Sequence, residues 1–231
     1  RRNDFNGETI NIKDGKKKTY SLKNANKSKE FLFFGGSTTW GVGSNNENTY
    51  PSIFSKISNY KAINYAETGW VSRQSLSLLN NLYISNNNTK KKVITFYDGV
   101  NDIFYLCRKD FRALGTSREA FIQDKIDQGK NIFSFYKTFY QLKMFTSTVV
   151  NRLTFKLGIS LQTNDMNYSP IYDCGNDRKK AEFVGNSILK TWLQAQTLAK
   201  ANGDTFVAIL QPVTVIGKSS YSYLPMEPKN I

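Results

Sequence analysis

Three short segments carry residue types that can perform acyl-transfer chemistry together. In Gly35-Gly36-Ser37-Thr38-Thr39-Trp40-Gly41, a serine follows a short apolar run and is flanked by glycines. A serine placed this way offers its hydroxyl at the rim of a sheet, beside backbone N–H groups that suit a developing oxyanion. In Asn64-Tyr65-Ala66-Glu67-Thr68-Gly69, the glycine lets the backbone approach a substrate closely, so that its N–H can donate to the same oxyanion. In Tyr97-Asp98-Gly99-Val100-Asn101-Asp102, the Asn101 amide can donate another hydrogen bond, and Asp102 can cap the following helix or brace the loop. Taken singly, each segment also reads as an ordinary turn. The first is glycine-rich with a capping Ser or Thr, the second has a turn glycine, and the third is an Asp/Asn/Gly turn.

Position separates the two readings, and position follows from the hydrophobic pattern. Glu30-Phe31-Leu32-Phe33-Phe34, ended by Gly35-Gly36, predicts a buried strand of a parallel sheet. Thr49-Tyr50-Pro51 opens a helix with Ile53, Phe54 and Ile57 on one face. Residues 60–65 form the second strand candidate, 72–84 the next helix, and 92–97 the third strand, stopped by Asp98-Gly99. Residues 103–160 are aromatic and helical in pattern and predict an inserted helical region or lid, with Phe133 and Phe139 as packing residues. An amphipathic helix follows over about 178–202, closed by Gly203, and 205–210 is the fourth strand. Residues 1–30 read as a polar lead-in with a short hairpin as its candidate structure, and 31–231 as one domain, incomplete at its C-terminus. The alternation predicts an α/β fold: a doubly wound, flavodoxin-like parallel sheet sandwiched by helices, with a helical insertion. Ligands of such sheets bind beyond the carboxyl ends of the strands. Ser37, Gly69 and Asn101 follow the first, second and third strands, and Gln211-Pro212 follows the fourth.

Composition narrows the classes. The 231 residues are 39% hydrophobic and 14% aromatic, enough to bury a core, so disorder is excluded. The net charge of +14 fits either solubility or attraction to an anionic partner such as an acidic polysaccharide, a membrane surface or a nucleic acid. The lysines are scattered along the sequence, which favours solubility, and no nucleic-acid partner is expected. Cys107 and Cys174 lack zinc-site spacing and are expected to be ordinary half-buried thiols, with a single bridge between them left open. Gly217-Lys218-Ser219 ends like a phosphate-binding loop, but Pro212 occupies the place of the first glycine.

Together the three segments resemble the sequence blocks of the SGNH hydrolases, also called GDSL-like esterases and lipases. The first block, usually Gly-Asp-Ser, is Gly35-Gly36-Ser37 here, a variant that suggests a bacterial branch with envelope or polysaccharide links. The second block's Asn-x-x-x-x-Gly spacing runs from Asn64 to Gly69, and the third, Gly-x-Asn-Asp, is intact as Gly99-Val100-Asn101-Asp102. The resemblance covers roughly residues 31–211. It implies a serine ester hydrolase that acts on O-acyl or O-acetyl esters through an acyl-enzyme and needs no cofactor or metal. Ser37 is then the nucleophile, and the N–H groups of Ser37 and Gly69 with the Asn101 amide hold the oxyanion. The substrate is a small ester or an acylated carbohydrate. A polysaccharide O-acetyltransferase of the same fold and a non-catalytic carbohydrate-binding relative remain as alternatives.

One departure is serious. The family's fourth block, Asp-x-x-His, supplies the general base, and this sequence has no histidine. An incomplete C-terminus would remove the base and the fifth strand at one stroke, so the chain is expected to be a fragment that is inactive alone. Glu67, Asp98 and Asp102 lie nearby, but none stands at the family's base position. The opening Arg1-Arg2 pair suits the flank of a membrane anchor or signal helix outside the chain, which fits an extracytoplasmic, cell-envelope setting.

Overall fold

The computed structural model describes residues 2–85, 90–108 and 172–212. The predicted insertion over 103–160 therefore lies largely outside the described residues, as do Phe133, Phe139 and the Gly217 segment. The chain divides into two units, one of Arg1–Cys107 with Cys174–Ile231 and one of Arg108–Asp173. In the second unit the described residues show a single antiparallel bridge between Arg108 and Tyr172.

The first unit opens with a three-stranded antiparallel meander, β1 (Phe5–Asn6), β2 (Asn11–Lys13) and β3 (Lys16–Lys17). The Asp14-Gly15 turn joining β2 to β3 has both residues at positive φ, the backbone that a tight hairpin requires. Then β4 (Asn26–Gly35), the one-turn helix α1 (Ser37–Trp40), α2 (Tyr50–Ser58), β5 (Tyr60–Asn64), α3 (Ser72–Ser85), β6 (Lys91–Asp98) and α4 (Val100–Leu106) follow. After the second unit come α5 (Arg178–Ala201) and β7 (Thr205–Leu210).

The four long strands form one parallel sheet in the order β5-β4-β6-β7. The apolar run in β4 is continuous because both of its faces are covered. Leu32 and Phe34, with Ile94 and Phe96 of β6, pack under Leu79 of α3 and Ala195 and Ala199 of α5. On the opposite face, Phe31 and Phe33 meet the rings of Phe54 and Tyr50 from α2. Helices thus cover both faces, as a doubly wound sheet requires. Chain order steps from β4 outward to β5, then crosses back over β4 to β6. That reversal is the switch point at which such sheets open a crevice. Among the described residues β7 pairs only with β6, and its Ile209 and Leu210 are exposed.

Two expectations need correction. Cys107 and Cys174 are not separate thiols but a disulfide, with Cα atoms 5.2 Å apart across a sequence separation of 67. Cys107 is buried in a cluster with Val184 and Ile188 of α5, which carries the two cysteines to one place. The bridge stands where the chain leaves the first unit and where it returns. The lead-in also holds more than a hairpin. It has three strands, and Lys17, from the run Lys16-Lys17-Lys18, is fully buried at 2% exposure.

Candidate active site

Strand register brings the three sequence blocks to one edge of the sheet. Gly35 is level with Tyr97, Tyr97 with Ile209, and Phe33 with Asn64. Just past those points the Tyr65 N–H donates to the Phe33 carbonyl at 2.8 Å and the Glu67 N–H to the Gly35 carbonyl at 3.2 Å. The segments bearing Ser37, Gly69, Asn101 and Gln211 therefore leave the sheet from the same carboxyl-end crevice.

Ser37 is half-buried and occupies the first position of α1. A first-turn N–H has no acceptor within its own helix, so the Ser37 N–H is free of the helical ladder. The turn is closed by Gly41 in the left-handed region, whose N–H donates to the carbonyls of Ser37 and Thr38. Asn64 clamps it from below. This side chain is 1% exposed, donates to the Thr39 carbonyl at 2.8 Å and accepts from the Ala66 N–H at 3.1 Å. On the other flank Gln211 Nε2 donates to Thr38 Oγ1 at 2.8 Å, so the residue after β7 reaches the turn that bears Ser37.

Asn101 meets the serine turn directly. A Cβ placed on Gly36 would collide with Asn101 Nδ2, so only glycine leaves room for that amide. The same Nδ2 donates to the Trp70 carbonyl at 2.7 Å. One amide hydrogen is thereby fixed, which sets the orientation of the group and leaves its second hydrogen for another acceptor. Gly69, at φ +74°, adopts the left-handed backbone beside Tyr105 of α4. Asp102, in the first turn of α4, also reaches beyond its own helix. It is 3% exposed and accepts from the Ser72 N–H at 3.0 and 3.1 Å and from the Ser72 hydroxyl, so it braces the start of α3. Asn101 and Asp102 together hold the 70–72 segment in place.

No protein-family model and no curated protein matches the chain. Among solved structures it is similar to a member of the lipolytic protein G-D-S-L family from Veillonella parvula DSM 2008. That match has 25% identity over 33% of this chain and 42% of that chain, with a TM-score of 0.31. It is also similar to a protein from Desulfitobacterium hafniense DCB-2 described as lipolytic and of the G-D-S-L family. There the identity is 13% over 79% of this chain and 77% of that chain, with a TM-score of 0.30. Both bear the G-D-S-L family name. The first match spans less than half of its relative's length.

Sequence patterning missed several residues that hold this site. Lys17 Nζ donates to the carbonyls of Gly41 at 2.9 Å and Ser44 at 2.6 Å, just beyond α1. Its ammonium and the Arg2 guanidinium each stand 4.4 Å from the Trp40 ring centroid, two cations on one indole. Burial, with the Arg2 charge added, holds the Lys17 pKa below its ordinary value. Arg2 in turn donates to Glu67 and Thr68, each at 2.8 Å, immediately before Gly69. The polar lead-in is thus bolted to two of the three site segments.

Asp98 is the other hidden residue. Its carboxyl is 3% exposed and makes no hydrogen bond of normal geometry. Burial foremost, then the Asp102 charge, pushes its pKa up to about 8, against a small opposing pull from the Ser75 hydroxyl. The sign of the pH dependence follows. Well below pH 4, the folded and unfolded chains both hold this proton. Between there and about 8 the folded chain binds more protons than the unfolded, so this group's contribution falls as pH rises. Asp98→Asn is therefore expected to gain stability over the parent progressively from pH 5 to pH 8, measured by urea denaturation. Parallel stability curves for the two proteins across that range would contradict the assignment.

Proposed function

We propose that this chain carries the nucleophile and oxyanion groups of a serine ester hydrolase acting on O-acyl or O-acetyl esters. The observation that carries the reading is the approach of the Asn101 amide to Gly36, beside the half-buried Ser37 at the switch point of the sheet. In this reading Ser37 Oγ attacks the ester carbonyl carbon, and the carbonyl oxygen becomes an oxyanion. The N–H groups of Ser37 and Gly69 and the second amide hydrogen of Asn101 donate to it. Collapse of the tetrahedral intermediate breaks the ester C–O bond and releases the alcohol, and water then hydrolyses the acyl-serine.

A proton acceptor must serve both steps. The chain has no histidine, Asp102 is buried and taken up by Ser72, and Asp98 is buried with its pKa raised to about 8. The reading therefore requires a base, delivered to the crevice beside Ser37, that the described residues do not supply. The Cys107–Cys174 bridge supports an oxidising, extracytoplasmic setting for the protein.

Asn101→Ala, in the protein with its native flanking sequence, is expected to lower p-nitrophenyl acetate turnover by about 10²- to 10³-fold, with a smaller change in KM. An unchanged turnover would remove Asn101 from the oxyanion site. If ester turnover does not depend on Ser37, the catalytic reading fails and a non-catalytic carbohydrate-binding protein of this fold takes its place.

A further inference from the structure

Lysines scattered in the sequence are gathered by the fold. A groove of about 710 Å³ runs between the meander and β5, and Lys13, Lys16, Lys17, Lys18 and Lys61 all line it. That volume lies within the range of small-ligand sites. Three of these lysines are engaged: Lys17 with the Gly41 and Ser44 carbonyls, Lys61 with Glu30 at 2.7 Å, and Lys16 over the Tyr65 ring at 5.5 Å. Lys13 and Lys18 are exposed, and among the described residues no carboxylate pairs with either. Two aspartates, Asp4 and Asp14, also line the groove, so its walls carry five positive charges against two negative.

The other linings narrow the ligand. Phe5 stands at the groove 56% exposed, a large apolar ring left open to water. Asn6, Asn11, Thr19 and Ser21 add amide and hydroxyl groups. A matching ligand needs anionic groups for Lys13 and Lys18, hydroxyl donors for the Asp and Asn oxygens, and a flat apolar face for Phe5. An acidic sugar supplies all three in each ring: a carboxylate, several hydroxyls and a C–H face. A phosphodiester strand supplies charge and stacking but few donors for Asp4 and Asp14, whose carboxylates would repel it.

We propose that this groove binds an acidic oligosaccharide, with ring carboxylates on Lys13 and Lys18 and a sugar face on Phe5. The site is distinct from the Ser37 crevice and does not depend on Ser37 chemistry.

Titration calorimetry of the 231-residue chain with trigalacturonic acid tests the proposal, with maltotriose and hexathymidylate as the neutral and nucleic-acid comparisons. Trigalacturonic acid is expected to bind. The Lys13→Gln/Lys18→Gln double variant and Phe5→Ala should each weaken it by about tenfold or more, and Ser37→Ala should leave it unchanged. All of these side chains are surface-exposed or half-buried, so the variants are expected to fold as the parent does. Absence of binding, or binding that survives the lysine and Phe5 substitutions, would overturn the site. Equal binding of maltotriose would overturn the role of charge, and equal binding of hexathymidylate would reduce the groove to general attraction for polyanions. Because Ser37→Ala is predicted to bind normally, failure of the hydrolase reading and failure of this one are told apart.

Discussion

Ser37→Ala is expected to lower ester turnover by about four to six orders of magnitude in the protein supplied with its base. The size of the effect follows from what remains. Alanine keeps the backbone N–H groups and the Asn101 amide, so an ester can still be polarised. It removes the atom that forms the acyl bond, so only water attack is left. The 231-residue chain alone is expected to hydrolyse p-nitrophenyl acetate no faster than its own Ser37→Ala variant. A serine hydroxyl without a base stays protonated and is a weak nucleophile. A clear Ser37-dependent rate in the short chain would show that one of its own groups serves as base.

Loss of the Cys107–Cys174 bridge is expected to cost about 4 kcal/mol of stability, the chain-entropy value for a loop of this length. The cross-link keeps the two ends of a long excursion together in the unfolded chain as well as in the folded one, so its removal stabilises the unfolded ensemble. Cys107 also packs against Val184 and Ile188, so the Cys107→Ala/Cys174→Ala pair loses a little buried contact in addition. Urea denaturation of the double variant, with the parent measured before and after reduction, checks the prediction. A midpoint unchanged by reduction would mean that the bridge is not formed in solution.

How much of this was legible in the sequence depended on the range of the interaction concerned. The sheet was readable because β4 and β6 are apolar runs bounded by glycine, and because α2 and α5 carry local start and stop signals at Pro51 and Gly203. The strand at 205–210 falls where its pattern placed it. The shared edge of Ser37, Gly69, Asn101 and Gln211 was readable too, since parallel strands joined by crossover helices leave from one side. What escaped was set by contacts between distant residues. Lys17 looked like one of three solvated lysines, and nothing local marks the two carbonyls and the indole that bury it. Asp102 could be assigned to a loop but not to Ser72, thirty residues away. The cysteine pair, 67 residues apart, meets only because α5 packs beside the end of α4. The collected lysines of the groove depend on a meander whose two- and three-residue strands are too short to show a periodicity.

Mass mapping of the acyl-enzyme tests the central claim most directly. The protein with its native flanking sequence is mixed briefly with p-nitrophenyl acetate, quenched in acid, digested and mapped. An acetyl group is expected on the peptide bearing Ser37, gone in Ser37→Ala and diminished in Asn101→Ala. Ester turnover with no acyl group on Ser37, or with the acyl group on another residue, would contradict it.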